Sequence, residues 1–264
     1  MILNARKIRE RILDLAYNTG ANGSHLGGSL SLVEVLIAVY TTAKITPLDK
    51  QRDRVILSKG HGALALFVVL EKLGLLPKEE VDTFEHNGTQ FFAHAKRDID
   101  RGLEFSGGSL SLGVSFAVGV AIACKKQGLK NHVYVIVGDG ECDEGLVWEA
   151  TMAAAHYKLD NLTIIVDRNS LQSDGDTSKV MNSSRLVEKF ASFGCLTYEV
   201  DGHSISNITK ILNSSVYGQP KVIIAKTIKG KGVSFMENDR NWHHSTLSQQ
   251  QYEQALKEIR YGKV

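Results

Sequence analysis

Several residue types are scarce in this chain of 264 residues, and each scarcity excludes a class of protein. The chain has 3 cysteines and no CxxC spacing, which argues against a disulfide framework or a zinc site. A reducing, cytoplasmic setting is therefore expected. With only 3 prolines and 43% hydrophobic residues, the composition is that of a folded globular protein rather than a disordered one.

Long apolar runs and an excess of charge of one sign are also missing. Gly, Lys or Asp interrupts every apolar stretch well before the ~18 residues that a membrane span needs. The N-terminal segment mixes charge with helical periodicity and lacks the apolar region of a signal peptide. The 31 basic and 29 acidic residues leave a net charge of +2. We therefore expect neither a membrane nor nucleic acid as partner.

A regular alternation of strands and helices occupies the second half of the chain. The predicted elements are, in chain order, a strand at 132–138, a helix at 146–159, a strand at 162–169, a helix at 185–194, a strand at 195–200, a helix at 205–216 and a strand at 221–228. Such alternation is typical of a parallel sheet covered on both faces. We predict an α/β fold with a doubly wound, mostly parallel sheet, in one domain over residues 1–264.

Local signals predict helix starts near both ends of the chain. The Gly-rich run NGSHLGGS is predicted to be a turn, and Ser31 with Glu34 is typical of a capping box that starts the helix after it. Ser248 with Gln251 has the same spacing and predicts a capped helix at the C-terminal end.

Oxygen ligands follow two of the predicted strands. Asp139 follows the strand at 132–138, and Asn169 ends the next strand, 30 residues later. One strand–helix–strand unit separates them, so its crossover should bring both side chains to the edge where ligands bind in doubly wound sheets. A carboxylate and an amide oxygen suit Mg²⁺. Gly138 and Gly140 let the backbone approach a diphosphate, which the following helix N-terminus attracts.

A lone GDG is a common turn, but a GDG followed by a strand that ends in DRN is far more specific. The stretch GDGECDEGLVWEATMAAAHYKLDNLTIIVDRNSLQSDG closely resembles the thiamine-diphosphate motif of transketolases, and the resemblance covers nearly the whole chain. It implies that this chain has the thiamine-diphosphate-binding fold and corresponds to the domain that binds the diphosphate end of the cofactor. The cofactors that it implies are thiamine diphosphate and Mg²⁺ (or Ca²⁺ or Mn²⁺).

The resemblance also implies a set of cofactor contacts. Asp139, Asn169 and the backbone carbonyl of Leu171 would hold the metal. The other implied contacts along the two motifs are Gly138, Gly140 and Glu141 in GDGE, and Gly108, Ser109 and Leu110 in SGGSLSLG. The carbonyl of Leu110 would face the aminopyrimidine.

Several histidines and one glutamate match functional positions of the family. His25 would line the substrate funnel, and His61 would lie near the thiazolium and the diphosphate. His243, with His244 as its substitute, would contact the diphosphate and the reacting oxygen. Glu144 matches an acidic position near the pyrimidine that helps to couple paired sites.

Two segments depart from the family pattern. His94 is matched to a histidine of a GHP-type segment, but this chain has FFAHAKRD there. Gly107 replaces the usual Thr of the pyrimidine loop, and Ser111-Leu112 replace the usual Gly-Gln or Gly-His pair. These changes point to an unusual sugar substrate or to a weakened site. The basic tract KTIKGKG fits a phosphate contact and a solvated loop equally well.

The activity implied is the transfer of a two-carbon ketol unit from a ketose or ketose phosphate to an aldose, as a transferase of aldehyde or ketone groups. Complete transketolases carry a second and a third domain that this sequence lacks. The chain therefore resembles the N-terminal subunit of a split transketolase. A C-terminal subunit would supply the glutamate that activates the pyrimidine and the sugar-phosphate site, in a two-plus-two heterotetramer.

Other functions are weighed against this one. A deoxyxylulose-phosphate synthase or a 2-oxo acid dehydrogenase component would use the same cofactor, but the segments HLGGS, SKGHG and WHH favour transketolase. A non-catalytic thiamine-binding scaffold would explain the departures over 107–112, yet it would need none of the matched histidines and carboxylates. A Rossmann NAD-binding protein is disfavoured because no GxGxxG follows the first strand.

Overall fold

The sheet of the computed structural model follows the predicted alternation. The structure describes residues 3–46, 48–181 and 184–262, so that both ends of the predicted domain 1–264 lie outside the described residues. The strands in chain order are β1 (Arg54–Leu57), β2 (Val133–Gly138), β3 (Leu162–Arg168), β4 (Leu171–Gln172), β5 (Gly175–Asp176), β6 (Leu196–Asp201) and β7 (Lys221–Lys226). The main sheet has the order β1-β2-β3-β7-β6 and is parallel throughout, while β4 and β5 form a separate antiparallel hairpin.

Helices cover both faces of this sheet. In chain order they are α1 (Ala5–Asn18), α2 (Leu26–Ser31), α3 (Val33–Thr42), α4 (Ala63–Lys72), α5 (Lys78–Val81), α6 (Leu112–Lys126), α7 (Gly145–His156), α8 (Thr177–Val180), α9 (Leu186–Ser192), α10 (Ile205–Leu212) and α11 (Gln249–Tyr261). Of the helices in the described ranges, none combines the length and the apolar character needed to cross a lipid bilayer.

Strand side chains alternate between two hydrophobic cores. Val135 and Ile164 are register partners and point to a core formed with α6, α7 and α9. Ile136 and Ile165, one residue further along, point to the larger core on the other face, formed with α1 to α4, α10 and α11. Because strand side chains alternate between faces, a sheet covered on both sides needs such continuous apolar runs. The predicted α/β fold, doubly wound and mostly parallel, is confirmed.

The Gly-rich run near the N-terminal end is helical in part, where a turn was predicted. Helix α2 begins at Leu26 and includes Gly27 and Gly28. A Cβ on Gly27 would lie 2.7 Å from the carbonyl oxygen of Trp242, so glycine is required by close packing rather than by a turn. The turn prediction was therefore wrong from Leu26 onward.

The capping box predicted from Ser31 and Glu34 is also wrong. Ser31 is the last residue of α2, and its hydroxyl donates to Asp167 Oδ2 at 2.7 Å. Glu34 forms a buried ion pair with Arg9, with Nη1 and Oε1 2.5 Å apart. Both side chains thus have partners from distant parts of the chain instead of the helix N-terminus.

The capped C-terminal helix is confirmed. The Ser248 hydroxyl accepts from the backbone N–H of Gln251, and the Gln251 side chain accepts from the backbone N–H of Ser248. Helix α11 then packs on α1, where the rings of Tyr252 and Tyr17 stack with centroids 4.4 Å apart.

Candidate functional site

A cavity of about 410 Å³ lies at the carboxyl edge of the sheet. The segments that follow β1, β2, β3 and β7 line it, together with loops from other parts of the chain. The predicted site residues in its lining are His25, His61, His94, Gly108, Leu110, Gly138, Asp139, Gly140, Glu141, Glu144, Asn169, Leu171 and His243. Ser109 is exposed and lies outside this lining. The other predicted positions are thus brought together, apart from His244, the substitute candidate for His243, which also lies outside the lining.

Asp139 joins the turn after β2 to the turn after β3. Its Oδ1 accepts from the backbone N–H of Gly140 at 2.9 Å, and its Oδ2 accepts from the backbone N–H of Ser170 at 2.6 Å. Burial and the neighbouring carboxylate of Asp167 raise the pKa of Asp139 to about 6, against the opposing effect of these two donors. A nearby cation would favour its charged form.

The oxygens expected to hold a metal lie in this turn pair. Asn169 Oδ1 accepts from the backbone N–H of Leu171 at 3.1 Å. The carbonyl oxygen of Leu171 accepts from the Lys229 ammonium at 3.0 Å, so this carbonyl already contacts a positive charge. With Asp139, the set comprises one carboxylate, one amide oxygen and one backbone carbonyl, which are the ligand types that Mg²⁺ prefers.

Further oxygens in the cavity wall lack donors. A Cβ on Gly140 would lie 2.7 Å from Gln172 Oε1 and 3.1 Å from Gln172 Cβ, so glycine lets the Gln172 side chain pack closely on this turn. Gln172 Oε1 and Asp143 Oδ2 are buried, and neither has a hydrogen-bond partner in the described part of the chain. Both residues line the cavity. Buried acceptors without donors are compatible with a bound cation or its waters, so the residues present fit a divalent metal.

Glu141 has its carboxylate bound by groups of the protein itself. It accepts from the Ser58 hydroxyl at 2.5 Å and from the backbone N–H groups of Gly138 and Ser111 at 3.0 and 2.7 Å. Burial raises its pKa despite these donors. The side chain thereby joins the segment after β1, the segment after β2 and the loop before α6.

The loop before α6 carries a residue in a strained backbone conformation. Ser111 has φ 71° and ψ −23°, in the left-handed region, although it is not glycine. Its hydroxyl donates to the carbonyl oxygen of Leu110 at 2.5 Å. This is the carbonyl predicted to face the aminopyrimidine, so the departure from the family pattern at position 111 acts directly on a predicted cofactor contact.

Replacing Ser111 by glycine is expected to raise the free energy of unfolding by about 0.5 kcal/mol. The left-handed conformation costs a residue with a Cβ about 1–2 kcal/mol, and the substitution removes this cost. Glycine also has more conformational entropy in the unfolded chain, which offsets part of the gain. Urea unfolding measures the change. Ser109→Gly is the matched control, because Ser109 is not in the left-handed region, and it should lower the stability instead. Equal changes in the two variants would show that position 111 is unstrained.

Four histidines from separate segments meet in the cavity. The ring centroid of His25 lies 5.9 Å from that of His61, 5.5 Å from that of His94 and 5.4 Å from that of His243. The rings of His61 and His243 are 5.2 Å apart. His244 lies outside the cavity lining but contacts His25, with 4.7 Å between centroids.

The imidazoles of His25, His61 and His243 are held in their neutral form. Burial, with the imidazoles of His244 and His243 nearby, lowers the pKa of His25 to about 3. Burial, with Lys229 nearby, lowers the pKa of His243 to about 4, and burial with Lys59 nearby lowers that of His61 well below its usual value. Near pH 7 each ring therefore offers one donor and one acceptor nitrogen.

Two buried lysines of the cavity were not among the predicted site residues. Lys59, which is 1% exposed, follows β1 and pairs with Asp167, with Nζ and Oδ2 2.5 Å apart. Lys229, which is 2% exposed, follows β7 and lies 3.2 Å from His243 Nδ1. Burial and the charge of Lys59 lower the pKa of Lys229 to about 8. For Lys229, the solvated-loop interpretation of KTIKGKG was therefore wrong.

Comparison with known proteins assigns the family. Residues 4–263 match the family model described as transketolase, thiamine diphosphate binding domain. The chain belongs to the transketolase family. The predicted family, with its thiamine-diphosphate-binding domain and its transferase class, is thereby confirmed.

Curated transketolase relatives include both short and long chains. The chain is 38% identical to one subunit of the apulose-4-phosphate transketolase of Phocaeicola vulgatus over 263 residues, which covers 97% of this chain and 92% of that protein. It is 39% identical to a 6-deoxy-6-sulfo-D-fructose transketolase subunit of Clostridium sp., with 89% and 88% covered. It is 34% identical to the transketolase of Mus musculus, covering 97% of this chain and 41% of that one.

Solved transketolases have the same fold in this region. The transketolase of Leishmania mexicana matches with a TM-score of 0.87 and 26% identity, over 97% of this chain and 41% of that chain. A Pichia stipitis transketolase matches with a TM-score of 0.85, over 95% and 40%. The chain thus spans about two fifths of the length of these solved transketolases.

Proposed function

We propose that this chain is the N-terminal, thiamine-diphosphate-binding subunit of a two-chain transketolase, with a single domain over residues 1–264. The observation that carries the proposal is the convergence of Asp139, Asn169, Lys229 and a histidine cluster in one cavity. Relatives of about the same length, which are named as single subunits of a transketolase, support it. The activity would be transfer of a two-carbon ketol unit from a ketose, phosphorylated or not, to an aldose.

The turns after β2 and β3 would hold the cofactor's diphosphate end. Asp139, Asn169 and the Leu171 carbonyl would bind Mg²⁺, or Ca²⁺ or Mn²⁺ in its place. Gly140 would let the backbone approach the diphosphate, with Gly138 and Glu141 beside it. Lys229 would add positive charge next to the phosphates, because its ammonium is buried in the same wall.

The loop before α6 and the start of α7 would face the other end of the cofactor. Gly108, Ser109 and Leu110 would lie against the aminopyrimidine, with Glu141 holding the loop in place through Ser111. Glu144 is the N-cap of α7 and is exposed where it lines the cavity. That exposure suits contact with a second chain, as expected of a carboxylate that couples paired sites.

The histidines would form hydrogen bonds with the oxygens of the sugar and exchange protons with them. Bound thiamine diphosphate supplies the nucleophilic carbon and the electron sink for breaking a carbon–carbon bond. His25, His61 and His243 are neutral near pH 7 and can donate to a carbonyl oxygen or accept a proton from a hydroxyl. Lys229 contacts Nδ1 of His243, which leaves the ring proton of neutral His243 on Nε2. His94 would line the acceptor side.

An exposed apolar face beside the cavity would receive the partner subunit. Leu112 and Phe116 are exposed one turn apart on α6. Met152 is exposed on α7, and Tyr157 is exposed just after it. Helix α7 packs against α6. Leu112 is two residues from Leu110 in the cavity wall, so the face continues from the cavity. We assign it to a C-terminal subunit that supplies the pyrimidine-activating glutamate and the sugar-phosphate site, in a two-plus-two heterotetramer.

Met152→Lys is expected to weaken assembly with that partner at least about tenfold. The substitution removes an apolar contact and places a charge in a desolvated interface, and a loss of ~1.4 kcal/mol already corresponds to a factor of ten. Lysine keeps the helix propensity of α7. Analytical ultracentrifugation of the mixed subunits measures the affinity. Tyr261→Lys is the control: Tyr261 is 83% exposed and is the last residue of α11, which covers the other face of the sheet. Equal affinities for both variants would contradict this interface.

The test of the function is a tagged pull-down from the native cell extract, assayed for glycolaldehyde transfer with thiamine diphosphate and Mg²⁺. We expect a second chain to co-purify and the complex to cleave ketose donors. Relatives named for a phosphorylated and a sulfonated sugar make both classes of sugar the first donors and acceptors to screen.

Two results would overturn the proposal. A chain that is recovered alone and stays inactive with every donor would remove both the partner and the activity. A complex that binds thiamine diphosphate and Mg²⁺ without any turnover would favour the non-catalytic scaffold. Calorimetric titration of the cofactor and the metal into the same complex distinguishes these two outcomes.

A further inference from the structure

A two-residue bridge fixes His25 and His244 side by side. The backbone N–H of Ser24 donates to the carbonyl of Ser245 at 3.0 Å, and the N–H of Ser245 donates back to the carbonyl of Ser24 at 3.0 Å. His25 follows one bridge residue and His244 precedes the other. Because the strands of the bridge are antiparallel, these two histidines are brought next to each other.

A glycine lets the bridge close against the His244 ring. Gly23 has φ 66°, in the left-handed region that glycine adopts without strain. A Cβ at this position would lie 3.1 Å from His244 Cε1 and 3.0 Å from the carbonyl oxygen of Ser245. The backbone of residues 23–25 thus packs directly on His244, which limits the positions open to its ring.

The His25 ring is oriented by packing rather than by a hydrogen bond at its buried nitrogen. Its Nδ1 is buried and has no hydrogen-bond partner among the residues that the structure describes. Of the four imidazoles around it, the His244 ring is the nearest, with centroids 4.7 Å apart and planes at 76°. This edge-to-face arrangement is a favourable geometry for aromatic rings.

We propose that His244 is a positioning residue, whose ring packs edge-to-face on His25 from the solvent side and keeps the His25 imidazole turned toward the cavity. The effect of this contact on catalysis rests on the proposed function. His244 is exposed and outside the cavity lining, whereas His61, His94 and His243 line the cavity with His25. It therefore closes the side of His25 that would otherwise open to water.

The surroundings of His25 keep its ring neutral. His94, His243, His244 and Lys229 face it from other segments, and each of them lowers its pKa in addition to burial. A neutral imidazole with no charged partner keeps its orientation only through the groups that pack on it. The nearest of these groups is therefore the one whose loss should disturb it most.

His244→Ala should lower kcat/KM for the ketose donor about tenfold in the complex with the partner subunit, because a small misplacement of a positioned group is enough for such a loss. The affinity for thiamine diphosphate should stay unchanged, since His244 lies outside the cavity. His244→Phe keeps the edge-to-face contact but no titratable nitrogen, and it should restore most of the activity. His86→Ala is the control: His86 is an exposed histidine that lies outside the cavity lining.

NMR of the full chain labelled at its histidines tests the contact without any turnover. Removal of the His244 ring should shift the ring protons of His25 in His244→Ala, and His244→Phe should keep them in a ring-current environment close to that of the wild type. Wild-type activity in His244→Ala, or a failure of phenylalanine to rescue, would overturn the proposal. A wild-type complex without transfer would instead overturn the proposed function, and an unshifted His25 signal would overturn the contact itself.

Discussion

Asp139→Asn should reduce ketol transfer by at least about 10³-fold. The substitution removes the one carboxylate of the proposed metal set, and charge stabilisation by a metal is worth several kcal/mol, with each ~1.4 kcal/mol a factor of ten in rate. It also disturbs the turn itself. Both carboxylate oxygens accept backbone N–H groups, from Gly140 and Ser170, and an amide can present an oxygen to only one of them.

Two measurements separate these effects. Rates at increasing Mg²⁺ concentration should show a higher metal requirement in Asp139→Asn, and calorimetry should show weaker binding of thiamine diphosphate with Mg²⁺. Asp100→Asn is the control, because Asp100 is an exposed aspartate outside the cavity. If Asp139→Asn bound the metal and turned over like Asp100→Asn, the assignment of the metal to this turn pair would be lost.

The sequence predicted the sheet and its ligand edge because both follow from local signals. The runs that became β2, β3 and β7 are short and rich in β-branched residues, and helices separate them. Parallel strands joined by crossovers must end at the same edge, so Asp139 and Asn169 could be placed together without knowledge of any contact. The hydrogen bond from Ser170 to Asp139 is the geometric result of that rule.

The buried charged residues that support the site could not be predicted from local sequence signals. Asp167 lies within β3, where an alternating or continuous apolar pattern predicts a core residue, and its partner Lys59 is 108 residues away. Glu141 stands in a motif that suggested a cofactor contact, yet its carboxylate joins three segments of the protein. Pairings of this kind depend on the three-dimensional meeting of distant segments, which periodicity and spacing do not encode.

A third buried network fixes the segment that carries Lys229. The backbone N–H of Ile228 donates to His203 Nε2 at 2.9 Å, so the proton of neutral His203 is on Nδ1 and donates to Glu34 at 2.9 Å. Burial raises the pKa of Glu34, but His203 and Arg9 outweigh that effect and lower it to about 2. The same glutamate was predicted to cap a helix. Its local spacing was correct for a cap, and the long-range partners determined its actual role.

Lys59→Met should lower the free energy of unfolding by about 3–5 kcal/mol at pH 7, because it leaves the Asp167 carboxylate buried without its cation. The single variant Lys7→Met is the surface control: Lys7 pairs with Glu10 but its side chain is 67% exposed, and such pairs contribute at most about 1 kcal/mol. Lys59→Met/Asp167→Asn should be more stable than Lys59→Met alone, since the buried charge is gone. Urea unfolding of the variants gives these differences.

The loss caused by Lys59→Met should depend on pH with a definite sign. In the wild type, burial raises the pKa of Asp167, but Lys59 and the hydroxyls of Thr227 and Ser31 outweigh it, so the pKa lies below its ordinary value. The carboxylate then contributes stability above the unfolded pKa of about 3.9 and loses it only as the pH falls through the lower folded value. Without Lys59 burial dominates, the folded pKa rises above the unfolded one, and stability falls as the pH increases from about 4. The difference between the two proteins should therefore be largest near pH 7 and shrink toward pH 4. A difference that stays constant with pH would show that Lys59 stabilises the site by packing alone.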